Sequence, residues 1–132
     1  MVMPRKTSIR PGFQQVFLHV PSATQAGVEQ YSPAVLQGSR FESRKYEYFI
    51  RAGLVVRNQA ETNGAPRPLP NARWQDGARK PKTLILSATT VSAVERYQQL
   101  DGSTKTNALL YFVWLGLDQS ATPDSSLQVR ML

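Results

Sequence analysis

The sequence predicts a mainly β protein: an antiparallel sheet with a long proline-rich loop, with short C-terminal helices packing on the sheet as the alternative form of its last third. Three observations predict it. Counted by twos, residues 43–58 (SRKYEYFIRAGLVVRN) place Tyr46, Tyr48, Ile50, Ala52, Leu54 and Val56 on one face. Lys45, Glu47, Phe49, Arg51, Gly53, Val55 and Arg57 fall on the other, the pattern of a strand with one dry and one solvated face. Residues 58–81 hold four prolines and the turn dipeptides Asn63-Gly64 and Asp76-Gly77, which predicts a long excursion without a helix. After it, KTLILSATTVSAVERYQQL resumes a β-branched, strand-like composition.

The elements follow in order. Residues 1–12 form a basic arm with Arg5, Lys6 and Arg10 and no periodicity, and residues 13–132 form a single domain. GFQQVFLHV reads as a first strand stopped by Pro21. The next stretch is loop-like, punctuated by Gly27, Pro33 and Gly38, with a short strand at 34–37. A long strand over 40–58 bends near Gly53, and the loop 58–82 follows. Asp101-Gly102 marks a tight turn, so that 91–100 and the apolar TNALLYFVWLGLD pair as a hairpin. That last segment also works as a helix, with Leu109, Phe112, Val113 and Leu117 on one face. SLQVRML reads as a final strand. No internal repeat is visible.

Charge narrows the partner class. The net charge is +7, and ten of the sixteen basic residues lie between Arg40 and Lys82 against four of the nine acidic ones. A polyanion is the expected partner, nucleic acid before an acidic membrane surface. Cysteine is absent, which excludes disulfides, thiolate catalysis and cysteine-ligated zinc. The basic N-terminus has no apolar segment behind it, and the longest uncharged apolar run, 108–117, is too short to span a bilayer as a helix. A soluble protein without a membrane partner is expected.

Catalysis has little to stand on. The single histidine, His19, sits on an apolar strand, reads as a half-buried strand residue, and cannot seed a transition-metal site alone. Neither GxGxxG nor GxxxxGK[ST] occurs. A non-enzyme with no metal and no cofactor is expected.

Binding and assembly remain. Lys45, Arg51 and Arg57 recur on the wet strand face with Phe49 among them; cations neutralise phosphates and an exposed ring stacks an unpaired base. The alternative packs Phe49 under a neighbouring element and leaves the charges solvated. In the loop, Arg67, Arg73, Arg79, Lys80 and Lys82 surround Trp74, which suggests either base stacking or insertion into a partner subunit, or a loop folded back with Trp74 as its own small core. Leu110, Phe112 and Trp114 belong to more apolar surface than the domain easily covers alone, so they are expected, with Arg67, Trp74 and Arg79, at a subunit contact.

Together these stretches resemble a small viral coat protein, and most narrowly the coat proteins of single-stranded RNA bacteriophages. SRKYEYFIRAGLVV is similar to the basic-faced strands that line the capsid interior in that family. NQAETNGAPRPLPNARWQDGARKP sits where the family has a long loop meeting neighbours at symmetry axes, and the last third matches its polar turn and C-terminal helices in order. The resemblance implies an intertwined homodimer, self-assembly into a shell, a single-stranded RNA genome bound by Lys45, Phe49, Arg51 and Arg57, and a virion location after assembly in the host cytoplasm. Two other classes remain open: an OB-type single-stranded nucleic-acid-binding protein, and a phage decoration or adaptor protein that binds no nucleic acid.

Overall fold

The computed structural model describes residues 10–38 and 41–121. Over that span it contradicts the mainly β expectation: four helices form the bulk of the fold, beneath one face of a sheet of two strands. β1 (Phe13–Pro21) runs directly into α1 (Ser22–Tyr31), and a short 3₁₀ turn at Ala34–Leu36 leads to the long α2 (Glu42–Thr62). The proline-rich segment contains a second 3₁₀ turn, Ala72–Gln75. β2 (Arg79–Ser87) runs directly into α3 (Ala88–Asp101), and α4 (Lys105–Ala121) follows. The expected strand SLQVRML lies outside the described residues.

The order strand–helix–helix therefore occurs twice, and the two halves are related in detail. β1 pairs antiparallel with β2, Phe17 opposite Thr83. Buried Leu18, Val20, Thr24 and Val28 of the first half correspond to buried Leu84, Leu86, Thr90 and Val94 of the second. The junctions match as well: Ser22 N–H donates to the Ala78 carbonyl at 2.9 Å, and Ala88 N–H to the Gly12 carbonyl at 2.8 Å. Phe17 and Thr83 are equivalent by position and are also register partners, so a pseudo-two-fold axis passes through that pair. The repeat is legible in the sequence after all. Tyr48-Phe49-Ile50 followed by Gly53-Leu54 answers Tyr111-Phe112-Val113 followed by Gly116-Leu117.

Those two stretches are where α2 and α4 cross. Gly53 lies against the Phe112 carbonyl and Gly116 against the Phe49 carbonyl, so close that a Cβ on either glycine would overlap the facing backbone. Small residues at a crossing let two helix backbones approach, and here the contact is reciprocal. Around it lies one core, with Phe49, Ile50, Leu110, Phe112 and Val113 fully buried and the inner face of the ribbon closing one side.

Each corrected element has a physical reason. Lys45, Phe49, Gly53 and Arg57 recur every fourth residue, a spacing that satisfies both the two-residue period of a strand and one face of a helix. All four are buried. The bend expected near Gly53 is a helix crossing. Residues 22–31, expected as loop, form α1, which Gly27 joins because the Trp74 ring occupies the place its Cβ would take. The short strand expected at 34–37 is instead the 3₁₀ turn Ala34–Leu36. The strand-like segment after Lys82 stays extended only to Ser87, whose side chain accepts from the Thr90 N–H and caps α3. Gly102, with φ +68°, ends α3 in the left-handed conformation, and Ser103 N–H closes back onto the Gln98 carbonyl. The Asp101-Gly102 turn thus joins two helices, and residues 107–118 take the helical alternative. Their ring of apolar side chains is buried on all sides, as expected of a helix that is hydrophobic all round.

Candidate nucleic-acid interface

The residues expected to bind nucleic acid do not share a solvated face. Lys45 is 1% exposed, and its ammonium donates to Glu29 at 2.8 and 2.9 Å. Phe49 is in the core. Arg57 is buried and forked onto Asp101, with bonds of 2.9 and 2.8 Å, and its guanidinium stacks on Tyr97 at 4.6 Å. The Asp101 hydrogen bond raises the Arg57 pKa above the ordinary arginine range, and the same bond lowers that of Asp101. Burial pushes the Tyr46 hydroxyl up, with Glu42 and Glu29 adding to the shift. Only Arg51 of the four stands in solvent. The positive strip is an artefact of counting by twos.

The residues expected at a subunit contact mostly serve the chain's own interior. Leu110, Phe112 and Trp114 are buried within it, and Trp114 Nε1–H donates to Thr24 at 2.9 Å. Trp74 realises the alternative of a loop folded back on its own chain: its Nε1–H donates to Asp118 at 2.8 Å, its carbonyl accepts from Thr24, and its ring meets Tyr31 edge-on at 6.3 Å. Arg67 lies over the Tyr111 ring at 4.6 Å and 3.5 Å from Asp101. The apolar surface that called for a partner is covered by the chain itself: Leu110 and Phe112 lie in the core, and the loop borders Tyr111 and Trp114. Arg79 is exposed, at one end of the ribbon.

What stays open is the ribbon's outer face. Alternation along each strand turns Val16, Leu18 and Val20, with Leu84 and Leu86, into the core. The other face presents Phe13, Gln15, Phe17 and His19 beside Pro81 and Thr83, all exposed, and Phe17 is 66% accessible. No described element covers it. The two strands contain no carboxylate, whereas β2 carries Arg79, Lys80 and Lys82. Lys82 is held by Glu42 at 2.6 Å, while Arg79 and Lys80 stand exposed at one end of the ribbon. Arg10, exposed beside the Phe13 ring, marks the other end.

The flanks of the ribbon are the first turns of the two crossing helices. Along β2, Ser43 and Glu47 of α2 accept from the Ile85 and Ser87 N–H groups at 2.9 and 3.0 Å, closing an edge that would otherwise invite another strand. Along β1, Lys105, Thr106 and Leu109 of α4 border a shallow cleft with Gln15, Val16 and Phe17. Basic side chains at the helix starts, Arg44 and Lys105, thus lie to either side. GFQQVFLHV is readable as a strand, but with Val16, Phe17 and Leu18 all apolar its hydropathy does not mark Phe17 as an outer residue. Nothing local to the sequence announces Arg79–Ser87 as its partner.

Among the described residues no cluster of histidine, cysteine or carboxylate side chains could hold a metal ion, and no helix is long and apolar enough to cross a membrane. Comparison with protein-family models, with curated proteins and with solved structures finds no match to this chain.

Proposed function

We propose that the chain is a nucleic-acid-binding protein that lays its two-stranded ribbon into the major groove of duplex DNA. The observation that carries this reading is the uncovered, carboxylate-free outer face of β1 and β2, with basic side chains at both ends. A two-stranded ribbon is one of the two elements whose width suits the B-DNA major groove, whereas the major groove of an RNA helix is too deep and narrow for side-chain readout. Gln15 has the amide that can bond an adenine edge in two places, Thr83 can donate or accept, and Phe17 offers an apolar surface for a thymine methyl. Arg10 and Arg79 supply phosphate contacts that position the ribbon without reading sequence. The shell-forming RNA coat drew its support from a basic sheet face that residues 43–58 do not form, so the polyanion expected from the charge is assigned to a different surface.

The test is salt-dependent binding of the purified chain to duplex DNA, followed by fluorescence anisotropy, with single-stranded RNA as the competitor. Replacing Arg10 and Arg79 together by glutamine should flatten the log–log slope of affinity against salt by about 2, close to one for each phosphate no longer neutralised. An unchanged slope, or a preference for single-stranded RNA over duplex DNA, refutes the reading. Large RNA-filled particles on a sizing column would favour the coat protein instead.

A further inference from the structure

The pseudo-two-fold relates the outer faces of α2 and α4, yet only one of them is covered. On α4, Tyr111, Trp114 and Asp118 lie beneath the proline-rich segment. Tyr111 donates to the Pro68 carbonyl at 2.7 Å, and Asp118 accepts from the Asn71 N–H and the Trp74 Nε1–H, both at 2.8 Å. Leu69 and Pro70 border Trp114. The equivalent residues of α2 are Tyr48, Arg51 and Val55, and they stand bare: Tyr48 is 42% and Val55 56% exposed, whereas Tyr111 and Trp114 are buried. A groove of about 590 Å³ runs along this face, with Arg44, Ala52 and Glu47 completing it; the Glu47 carboxylate is already taken up by the Ser87 N–H at 3.0 Å and the Thr90 hydroxyl at 2.7 Å, which leaves the guanidinium groups as the open charges of the groove. It continues past Arg51 and Val55 toward Thr89 and Ala93 of α3.

We propose that this groove binds an extended, acidic, proline-containing segment of a partner protein, in the manner in which α4 holds residues 66–75. Three features select that occupant. The molecule already shows that this kind of helix face, at the crossing of two halves, is covered by a proline-rich chain that forms neither α-helix nor strand and closes in the 3₁₀ turn Ala72–Gln75. Proline suits such a segment because its restricted backbone loses little entropy on docking. The polarity of the bare face is reversed relative to the covered one. Where α4 offers the Asp118 carboxylate to N–H donors, α2 offers Arg51, which has no ion-pair partner among the described residues, and Arg44, which rests on the Phe41 ring. Guanidinium groups two helical turns apart favour carboxylates over amide donors, while Tyr48, Ala52 and Val55 between them take apolar or proline side chains. The groove lies apart from the outer face of the ribbon, so the inference does not rest on the DNA reading.

The experiment uses the full chain and two synthetic peptides. One has the sequence of residues 66–75, PRPLPNARWQ; the other replaces both of its arginines with glutamate. Isothermal titration should show one site for the acidic peptide and at least tenfold weaker binding of the parent peptide. Arg51→Glu and Val55→Asp, both at exposed positions, should each weaken the acidic peptide at least tenfold while leaving the thermal midpoint within a degree or two. Phe17→Glu on the ribbon should leave peptide binding unchanged, which separates failure of this inference from failure of the ribbon reading. The proposal is overturned if the acidic peptide does not bind, or binds equally to Arg51→Glu and Val55→Asp. It is also overturned if those variants instead abolish DNA binding, which gives the groove to nucleic acid, or if they abolish a concentration-dependent dimer, which gives it to a second copy of the chain.

Discussion

Arg57 and Asp101 tie the C-terminal part of α2 to the end of α3. Their side chains are 7% and 12% exposed, they share two hydrogen bonds, and Tyr97 and Tyr111 wall the guanidinium at 4.6 and 5.7 Å. Removing one member of such a pair leaves an uncompensated buried charge. Asp101→Asn is therefore expected to lower unfolding free energy by about 3 kcal/mol, the lower edge for a buried pair, because Asp101 keeps some water contact. The bond to Arg57 depresses the folded-state pKa of Asp101. Its contribution is thus present above the unfolded carboxylate value of about 3.9 and is lost as pH falls through the folded value. Urea titrations across the acidic range should show that loss in the parent and a shallower one in Asp101→Asn; parallel profiles would exclude the pair as its source. The charge of Arg57 is legible in the sequence, but its partner, at the far end of another helix, is not.

Among the elements, the crossing of α2 and α4 carries the most demanding geometry. Gly53→Ala and Gly116→Ala each place a methyl against the opposite backbone, and backbone cannot rotate aside as a side chain can. Each is expected to cost roughly 1–3 kcal/mol or more, as overpacked cores do. The double variant should cost less than the sum, because the first substitution already separates the helices. Denaturation midpoints test both statements, and a neutral Gly53→Ala would show that the crossing is looser than described. The same element shows why the sequence points to the wrong fold class. A spacing of four residues serves a helix and a strand equally, and in residues 43–58 the buried and charged positions fall on it together. Residues 12–20 are legible as a strand because a short run rich in valine and aromatic residues is stopped by Pro21 before it is long enough for a helix. The wrapping of residues 66–76 onto α4 hangs on Asp118 and Thr24, remote contacts that local composition does not encode.

At the scale of the whole molecule, duplication makes one chain do what two identical subunits would otherwise do: pair two strands across a two-fold axis and bury a four-helix core beneath them. The repeated Tyr-Phe-aliphatic and Gly-Leu signature is in plain sight, but it is short and its two copies sit in segments whose charge differs sharply. That difference matters for recognition. Near the axis β1 presents Gln15, Phe17 and His19, while β2 presents Pro81, Thr83 and the half-buried Ile85, so the two halves of a bound site would be read by different side chains. A single chain is expected to suffice, with a sedimentation mass of one copy per duplex. Two copies on a minimal site would conflict with the internal pairing of the strands. The most direct measurement is the affinity of Phe17→Glu for duplex DNA at fixed salt, beside its thermal midpoint. Phe17 lies on the pseudo-two-fold axis and is largely exposed, so a carboxylate there should leave the fold intact. It should weaken binding roughly 5- to 150-fold, the range of about 1–3 kcal/mol carried by a base-edge contact; an unchanged affinity would contradict the ribbon as the interface.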